Sequence, residues 1–125
     1  AGFLGSPPMN FLDVTIADGG RRITLPDGES IAVPSSLGVA DGPCTWGIRP
    51  EHFSRSEGDS AIRVKMEVVQ PTGSRAYGSF RIGDAHMVAE LEAHAINLAD
   101  SMLGLSVAVE RTSFFDRNSG QAIRS

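Results

Sequence analysis

Cysteine, lysine and long apolar runs are nearly missing from this 125-residue chain. Cys44 is the single cysteine, so no internal disulfide can form and no cysteine-rich zinc site can be assembled, which favours a reducing compartment. No apolar stretch approaches the ~20 residues that a membrane-spanning helix needs, and no basic segment followed by a hydrophobic one marks a secretory signal. We therefore expect a soluble domain.

Features that bind nucleic acid are equally scarce. The formal net charge is −4, and Lys65 is the only lysine among eleven basic residues, so no cationic track runs along the sequence to hold phosphates. Trp46 and Tyr77 are the only amphipathic aromatic residues, too few for base-stacking platforms within a basic groove. We expect no nucleic-acid partner.

The patterns of the common catalytic and metal sites do not occur. Lys65 lies in an alternating segment with no glycine-rich loop before it, so the chain has no phosphate-binding loop for ATP hydrolysis. His52, His86 and His94 lack both the i, i+4 spacing of a metalloprotease and a nearby cysteine pair, and no nucleophile-elbow sequence is present. We expect no enzymatic activity, no metal and no cofactor in this chain.

An alternation of period two runs through most of the sequence and predicts β-strands. Leu12, Val14 and Ile16 fall on one face while Asp13 and Thr15 fall on the other, as in a half-buried strand. Further strands or hairpins are predicted at residues 23–33, 44–49, 62–68, 77–91, 105–109 and 114–123, with turns at residues 26–29, 83–84 and 117–120. Residues 95–101 are predicted to form a loop or a single helical turn.

The clearest of these strands, at residues 62–68, places Ile62, Val64, Met66 and Val68 inward and ends at the turn 71–73. About nine short strands separated by turns predict an all-β fold of small antiparallel barrels, since closure removes exposed strand edges. An OB-type barrel is the leading choice. The Ser-, Gly- and Pro-rich connector 34–42 and the polar stretch 54–60 suggest two interlocked halves, 1–56 and 57–125. Neither half is large enough to be stable alone, so we treat residues 1–125 as one domain.

Two motifs, in this order, resemble those of a known family. Residues 2–12 read GFLGSPPMNFL and residues 47–52 read GIRPEH, while residues 71–74 and the terminal hairpin 115–123 add weaker matches. Together they resemble the ATP-binding subunits of maltose- and glycerol-phosphate-type ABC importers over essentially the whole chain. The resemblance implies a C-terminal OB-like regulatory domain of the TOBE type, which follows a nucleotide-binding domain and pairs with its copy in a homodimer.

The same resemblance implies a role in a carbohydrate import system, for a sugar or a polyol, without ATP hydrolysis by this segment. ATP and Mg²⁺ would belong to an upstream domain that is absent here, with a Walker-type loop within roughly 250 residues. Further implied partners are the membrane permease subunits and a regulatory protein. The implied location is cytoplasmic, peripheral on the inner face of the plasma membrane.

The candidate interface residues are those of the signature corner: Arg49, Pro50, Glu51 and His52. Pro50 restricts its own φ and pushes the preceding residue toward extended geometry, so the neighbouring side chains leave the strand in defined directions. Arg49 and Glu51 then form bonds across a dimer interface, where a guanidinium offers two-pronged recognition, or they only hold the loop internally.

The candidate residues where the chain enters the domain are Gly5, Ser6, Pro7, Pro8 and Asn10. The two prolines either stiffen the path into the first strand or form a simple spacer. Departures from the family pattern include Arg75-Ala76 and Gly78, and they bear on partner recognition and not on the fold. Two alternative functions are the sensing of a small oxyanion or metabolite, which the scattered arginines favour little, and the docking of a regulatory protein on the signature corner.

Overall fold

The computed structural model describes residues 9–33, 37–56, 58, 62–96 and 102–124, and it consists of short β-strands joined by turns. The strands are β1 Asn10–Ala17, β2 Arg22–Thr24, β3 Ser30–Ala32, β4 Gly42–Ile48, β5 Phe53–Arg55, β6 Ile62–Val64, β7 Val68–Thr72, β8 Arg75–Ile82, β9 Ala85–Glu92, β10 Leu103–Val107, β11 Ser113–Phe115 and β12 Ala122–Arg124. Single 3₁₀ turns occupy Pro50–His52, Ala93–Ala95 and Val109–Arg111. Within these residues, no helix has the length and apolar content needed for membrane crossing.

The strands form three antiparallel sheets. One has six strands in the order β12-β11-β4-β1-β2-β3, and the other two have the orders β5-β10-β6 and β7-β8-β9. Strands β11 and β12 come from the end of the chain, yet β11 pairs with β4 from the first half. The division into halves 1–56 and 57–125 stays a prediction, but the largest sheet draws strands from both.

Strand β1 illustrates how the sequence pattern produces this sheet. Leu12, Val14 and Ile16 are buried, whereas Phe11 and Asp13 are exposed on the opposite face. Burial of each aliphatic side chain contributes about 1.5–3 kcal/mol relative to exposure, which orients the strand with this face toward the core. The strand predicted here is confirmed.

Aromatic side chains connect the sheets through one core. Trp46 is fully buried and stacks on Phe114 with ring centroids 5.9 Å apart and planes 5° from parallel. Phe53 meets Phe80 edge-on at 5.5 Å, which joins the second sheet to the third. The indole Nε1 of Trp46 donates to Thr112 Oγ1 at 2.7 Å, so its polar atom is satisfied inside the core.

The hairpins predicted within residues 23–33, 77–91 and 114–123 are confirmed by the pairing of β2 with β3, of β8 with β9 and of β11 with β12. The strand predicted at residues 62–68 is partly wrong. Val64 and Met66 are buried as expected, whereas Val68 is 56% exposed. Strand β6 pairs with β10 and β7 pairs with β8, so the chain changes sheets between residues 64 and 68 and the alternation cannot continue across the change. Val109, predicted within a strand, is buried but lies in a 3₁₀ turn.

Several shorter elements escaped the sequence pattern. Strand β5 and the turn Pro50–His52 follow β4 directly, where the sequence predicted only a strand end. Most of the loop predicted at residues 95–101 lies outside the described residues, as does part of the connector 34–42. The described residues contain twelve strands where about nine were expected, because strands of three residues carry too little alternation to be recognised. The all-β class is confirmed.

Candidate functional site

The signature corner is a rigid 3₁₀ turn at the end of β4. Arg49 has φ −74° and ψ 149°, the extended geometry that a residue before proline adopts. The N–H of His52 donates to the carbonyl of Arg49 at 2.9 Å, and the N–H of Arg49 donates to Nδ1 of His52 at 3.2 Å. Pro50 is buried, whereas Arg49 and Glu51 are exposed. The corner therefore holds its shape internally while it presents two opposite charges outward.

Residues next to β10 and in β9 contact this corner. The carbonyl of His52 accepts a hydrogen bond at 2.9 Å from the N–H of Ala108, which follows β10. Strand β9 packs against the same turn. Because contacts from two sheets meet it, the turn is part of the barrel framework and not a loose loop.

Gly47, the first residue of the signature, is where three separated motifs meet. A Cβ added there would lie 2.6 Å from Sδ of Met9 and 2.8 Å from Cε2 of Phe115, closer than side chains approach in real structures. Met9 belongs to the opening motif and Phe115 to the terminal hairpin. The order of the motifs along the sequence contained no information on this meeting, which depends on β4 lying between β1 and β11.

Asn10 joins two sheets through its side-chain amide and is 6% exposed. Its Nδ2 donates to the carbonyls of Ile48 at 3.0 Å and Val88 at 2.8 Å, and its Oδ1 accepts from the N–H of Val88 at 2.7 Å. The side chain thus ties β1 to β4 in the first sheet and to β9 in the third. Of the five residues predicted where the chain enters the domain, Gly5, Ser6, Pro7 and Pro8 lie outside the described residues.

The outer face of the six-stranded sheet carries an aromatic pair that sequence reasoning missed. Phe11 is 57% exposed and meets the half-buried Phe115 edge-on at 5.9 Å. Arg117, in the terminal turn, donates to the carbonyls of Val14 at 2.9 Å and Cys44 at 3.4 Å. These two hydrogen bonds hold the terminal turn against β1 and β4.

A cleft of about 360 Å³ lies beside the signature corner and is lined by charges of both signs. Arg75 donates from Nη2 to the carbonyl of Glu90 at 3.2 Å, and its guanidinium lies 3.4 Å from the Glu90 carboxylate. Glu51, Glu92 and Arg55 also line the cleft. Arg75, one of the two departures from the family pattern, thus belongs to this cleft. The other departure, Gly78, lies under Sδ of Met66, which would be only 2.7 Å from a Cβ added to the glycine.

The polar groups of the described residues form no recognisable metal site. No group of three His, Cys, Asp or Glu side chains there could hold a metal ion. His94 lies exposed, with Nε2 3.2 Å from a Glu92 carboxylate oxygen. Burial raises the pKa of the Cys44 thiol, an effect that the nearby Arg117 opposes, so the thiol stays protonated and weakly nucleophilic.

Comparison with known proteins shows what this chain is similar to. Residues 5–53 match the family model described as the MalK OB fold domain. The sn-glycerol-3-phosphate import ATP-binding protein of Ruegeria pomeroyi is 36% identical over 125 residues, covering 98% of this chain and 34% of the relative. The chain is therefore a homologue of ABC importer ATP-binding subunits.

Other importer homologues align over the same extent. The sulfoquinovosyl glycerol transport ATP-binding protein of Agrobacterium fabrum is 33% identical, covering 98% of this chain and 35% of the relative. The multiple sugar-binding transport ATP-binding protein of Streptococcus mutans is 32% identical, covering 99% and 36%. The chain thus spans about a third of the length of these relatives, and the resemblance predicted from the two motifs is confirmed.

A solved structure supports the OB-type fold of this importer homologue. The cytoplasmic molybdate-binding protein ModG superposes with a TM-score of 0.62 at 10% identity, covering 89% of this chain and 98% of that protein. At this identity the likeness concerns the fold alone. The prediction of small antiparallel barrels of the TOBE type is confirmed, while the roles predicted for Arg49, Pro50, Glu51 and His52 stay predictions.

Proposed function

We propose that this chain is the regulatory and dimerisation domain of the ATP-binding subunit of an importer for a carbohydrate or related polyol, and that it does not itself hydrolyse ATP. The similarity to an importer ATP-binding protein over 98% of this chain carries the proposal, and the meeting of Met9, Gly47 and Phe115 supports its mechanical part. Binding of ATP and Mg²⁺ by a preceding domain, contact with permease subunits, and a cytoplasmic position at the inner membrane face belong to the same proposal.

The first part of the proposal concerns mechanical coupling. Met9 packs onto Gly47, and Asn10 bonds to backbone groups in β4 and β9, so the chain reaches the barrel at a fixed place. The preceding Pro7 and Pro8 each restrict φ to a narrow range. A movement of an upstream domain that reaches Met9 would therefore turn the barrel as a body.

The second part concerns pairing at the signature corner. A twofold interface brings the same patch of both subunits together, so the patch must complement itself. Arg49 and Glu51 present opposite charges from one turn, and Arg75 and Glu92 line the cleft beside it. Pairing there would keep two ATPase subunits at high effective concentration while their nucleotide sites open and close.

Sedimentation velocity of the chain over a wide concentration range tests the pairing. We expect a concentration-dependent dimer, weakened by Arg49→Glu or Glu51→Arg alone because each creates a like-charge contact across the twofold axis. The double exchange Arg49→Glu with Glu51→Arg should restore the dimer. A monomer at every concentration would remove the pairing part of the proposal.

Phosphate release from Mg-ATP tests the absence of hydrolysis. The purified chain should release no more phosphate than a heat-denatured sample, because its sequence has no phosphate-binding loop. Sustained turnover that survives repeated purification would overturn this part.

An alternative function is the binding of a small oxyanion, and the observation in its favour is that Arg55 and Arg75 line the same cleft. Calorimetry with molybdate, sulfate, phosphate and glycerol phosphate tests it. Saturable micromolar binding that is lost in Arg55→Gln and Arg75→Gln, but kept in a control Arg63→Gln, would favour the oxyanion site over pairing. Heats no larger than those of dilution would dismiss it.

A further inference from the structure

A second groove, with a volume of about 460 Å³, lies beside Phe11 on the outer face of the six-stranded sheet. It is lined by Phe11, Asp13, Pro26, Gly83, Asp84 and Ala85. The groove reaches the beginning of β9, whereas the charged cleft at the signature corner reaches its end, so the proposed pairing does not use it.

Two turns form one wall of this groove and hold its shape. The turn between β2 and β3 is closed by hydrogen bonds from Leu25 N–H to the carbonyl of Glu29 at 2.7 Å and from Gly28 N–H to the carbonyl of Leu25 at 3.0 Å. The turn between β8 and β9 packs directly on it, because a Cβ at Gly83 would touch Cβ of Pro26 at 3.4 Å. The groove is therefore formed in advance of any binding.

The floor of the groove is apolar. Phe11 is 57% exposed although its ring meets Phe115, and Pro26 and Ala85 continue the apolar surface. Single exposed apolar residues are common on proteins. Here the exposed ring instead lies in a preformed groove with other apolar groups, which is an arrangement typical of a contact site.

Two carboxylates, those of Asp13 and Asp84, lie at the edge of this apolar surface. Among the described residues, Asp13 lies 3.4 Å from Thr45 Oγ1 and 3.7 Å from Arg117 Nε, and it is exposed. Asp84 is exposed, and within the described residues no hydrogen bond or ion pair is found for its carboxylate. Arg117 therefore balances Asp13 only in part, and the exposed Asp84 carboxylate is open to a cation from a partner.

We propose that this groove docks a segment of a partner protein in which an arginine or lysine stands next to an apolar side chain. The apolar side chain and the methylene stem of the cation would cover Phe11, as long basic side chains commonly do. The cationic head would reach Asp13 and Asp84 and lie near the face of the ring, where both the carboxylates and the aromatic quadrupole attract it. The net charge of −4 disfavours an acidic partner at the same place.

Amide chemical shifts of the ¹⁵N-labelled chain test the proposal with two matched peptides, acetyl-Leu-Arg-Leu-Arg-amide and acetyl-Leu-Glu-Leu-Glu-amide. The basic peptide should cause saturable shifts confined to Phe11, Asp13 and residues 83–85, and the acidic peptide should not. The double variant Asp13→Asn with Asp84→Asn should raise the Kd about tenfold or more, since charge-assisted contacts are lost. Glu110→Gln, an exposed carboxylate outside the groove, is the matched control and should leave the Kd unchanged.

Three results would overturn the proposal. The first is a set of shifts that spread over the surface, fail to saturate or follow both peptides equally. The second is an equal loss of affinity in the Glu110→Gln control, which would mean general attraction to a negative protein. The third is a smaller sedimentation coefficient for Phe11→Ser with unchanged peptide binding, which would assign the groove to contact between copies of this chain. The first two results leave the pairing proposed at Arg49 and Glu51 untouched, because that corner lies beside the other end of β9, whereas the third would move the contact between copies to the groove.

Discussion

Replacing Gly47 by alanine tests whether the contact between the three motifs is as close as the structure indicates. The added methyl group would lie 2.6 Å from Sδ of Met9 and 2.8 Å from Cε2 of Phe115. Met9 has a flexible side chain that can move aside, but the Phe115 ring is held edge-on against Phe11 and has less freedom. Overpacking of this kind costs about 1–3 kcal/mol, and we expect a loss of about 2 kcal/mol in the free energy of unfolding.

Urea denaturation followed by tryptophan fluorescence measures this loss. Trp46 is the single tryptophan, lies next to Gly47 in β4 and is fully buried, so its emission reports directly on the sheet concerned. Gly58→Ala is the matched control, because among the described residues a Cβ there meets only Oγ of Ser56, at 3.5 Å. The reasoning is refuted if the two variants unfold within about 0.5 kcal/mol of each other, the usual scatter for surface substitutions.

Three further predictions concern single side chains. Asn10→Ala should lower the free energy of unfolding by about 2–4 kcal/mol, because it leaves buried backbone groups of β4 and β9 without partners; a loss below about 1 kcal/mol in urea denaturation would contradict this. Hydrogen bonds from the backbone N–H groups of Ser119 and Asn118 hold the pKa of the Asp116 carboxyl below its usual range. The carboxylate therefore stabilises the fold at any pH above its unfolded-state pKa. This contribution is lost as the pH falls through the lower folded-state pKa. Urea midpoints of the natural chain and of Asp116→Asn should therefore differ at neutral pH and converge only below about pH 4, and a constant difference would contradict the assignment. Burial raises the pKa of Cys44, so an aromatic disulfide reagent should label the thiol in urea but not in the folded chain; rapid labelling of the folded chain would show that β4 opens readily.

The strands of this protein were predictable where alternation is long. Strand β1 and the hairpins of β2 with β3 and of β8 with β9 follow residues that alternate between buried and exposed, and turn residues at 26–29 and 83–84 mark their reversals. The prediction failed at Val68 because a local pattern cannot reveal that the chain leaves one sheet for another. It also missed β5, whose three residues are too short for a period to appear.

The candidate site was predictable only as a set of separate motifs. Proline chemistry at residue 50 predicted the extended geometry of Arg49, which depends on neighbouring atoms alone. The cleft at Arg75 and the groove at Phe11 were not predictable, because each is lined by residues from several strands. The one usable signal was Gly47 within an otherwise strand-like segment, since such a glycine often marks a close approach.

By itself, the sequence determined the all-β class, the resemblance to importer ATP-binding subunits and the faces of its longer strands, because these depend on side-chain periodicity and on contiguous motifs. Only the tertiary structure decided that Met9, Gly47 and Phe115 touch, that Asn10 joins two sheets and that Phe11 faces a groove with two carboxylates. These contacts arise from the order of strands within a sheet and from the packing of one sheet on another. Pairing between strands distant in the chain is set by the sum of many core contacts, so no local stretch of sequence contains it.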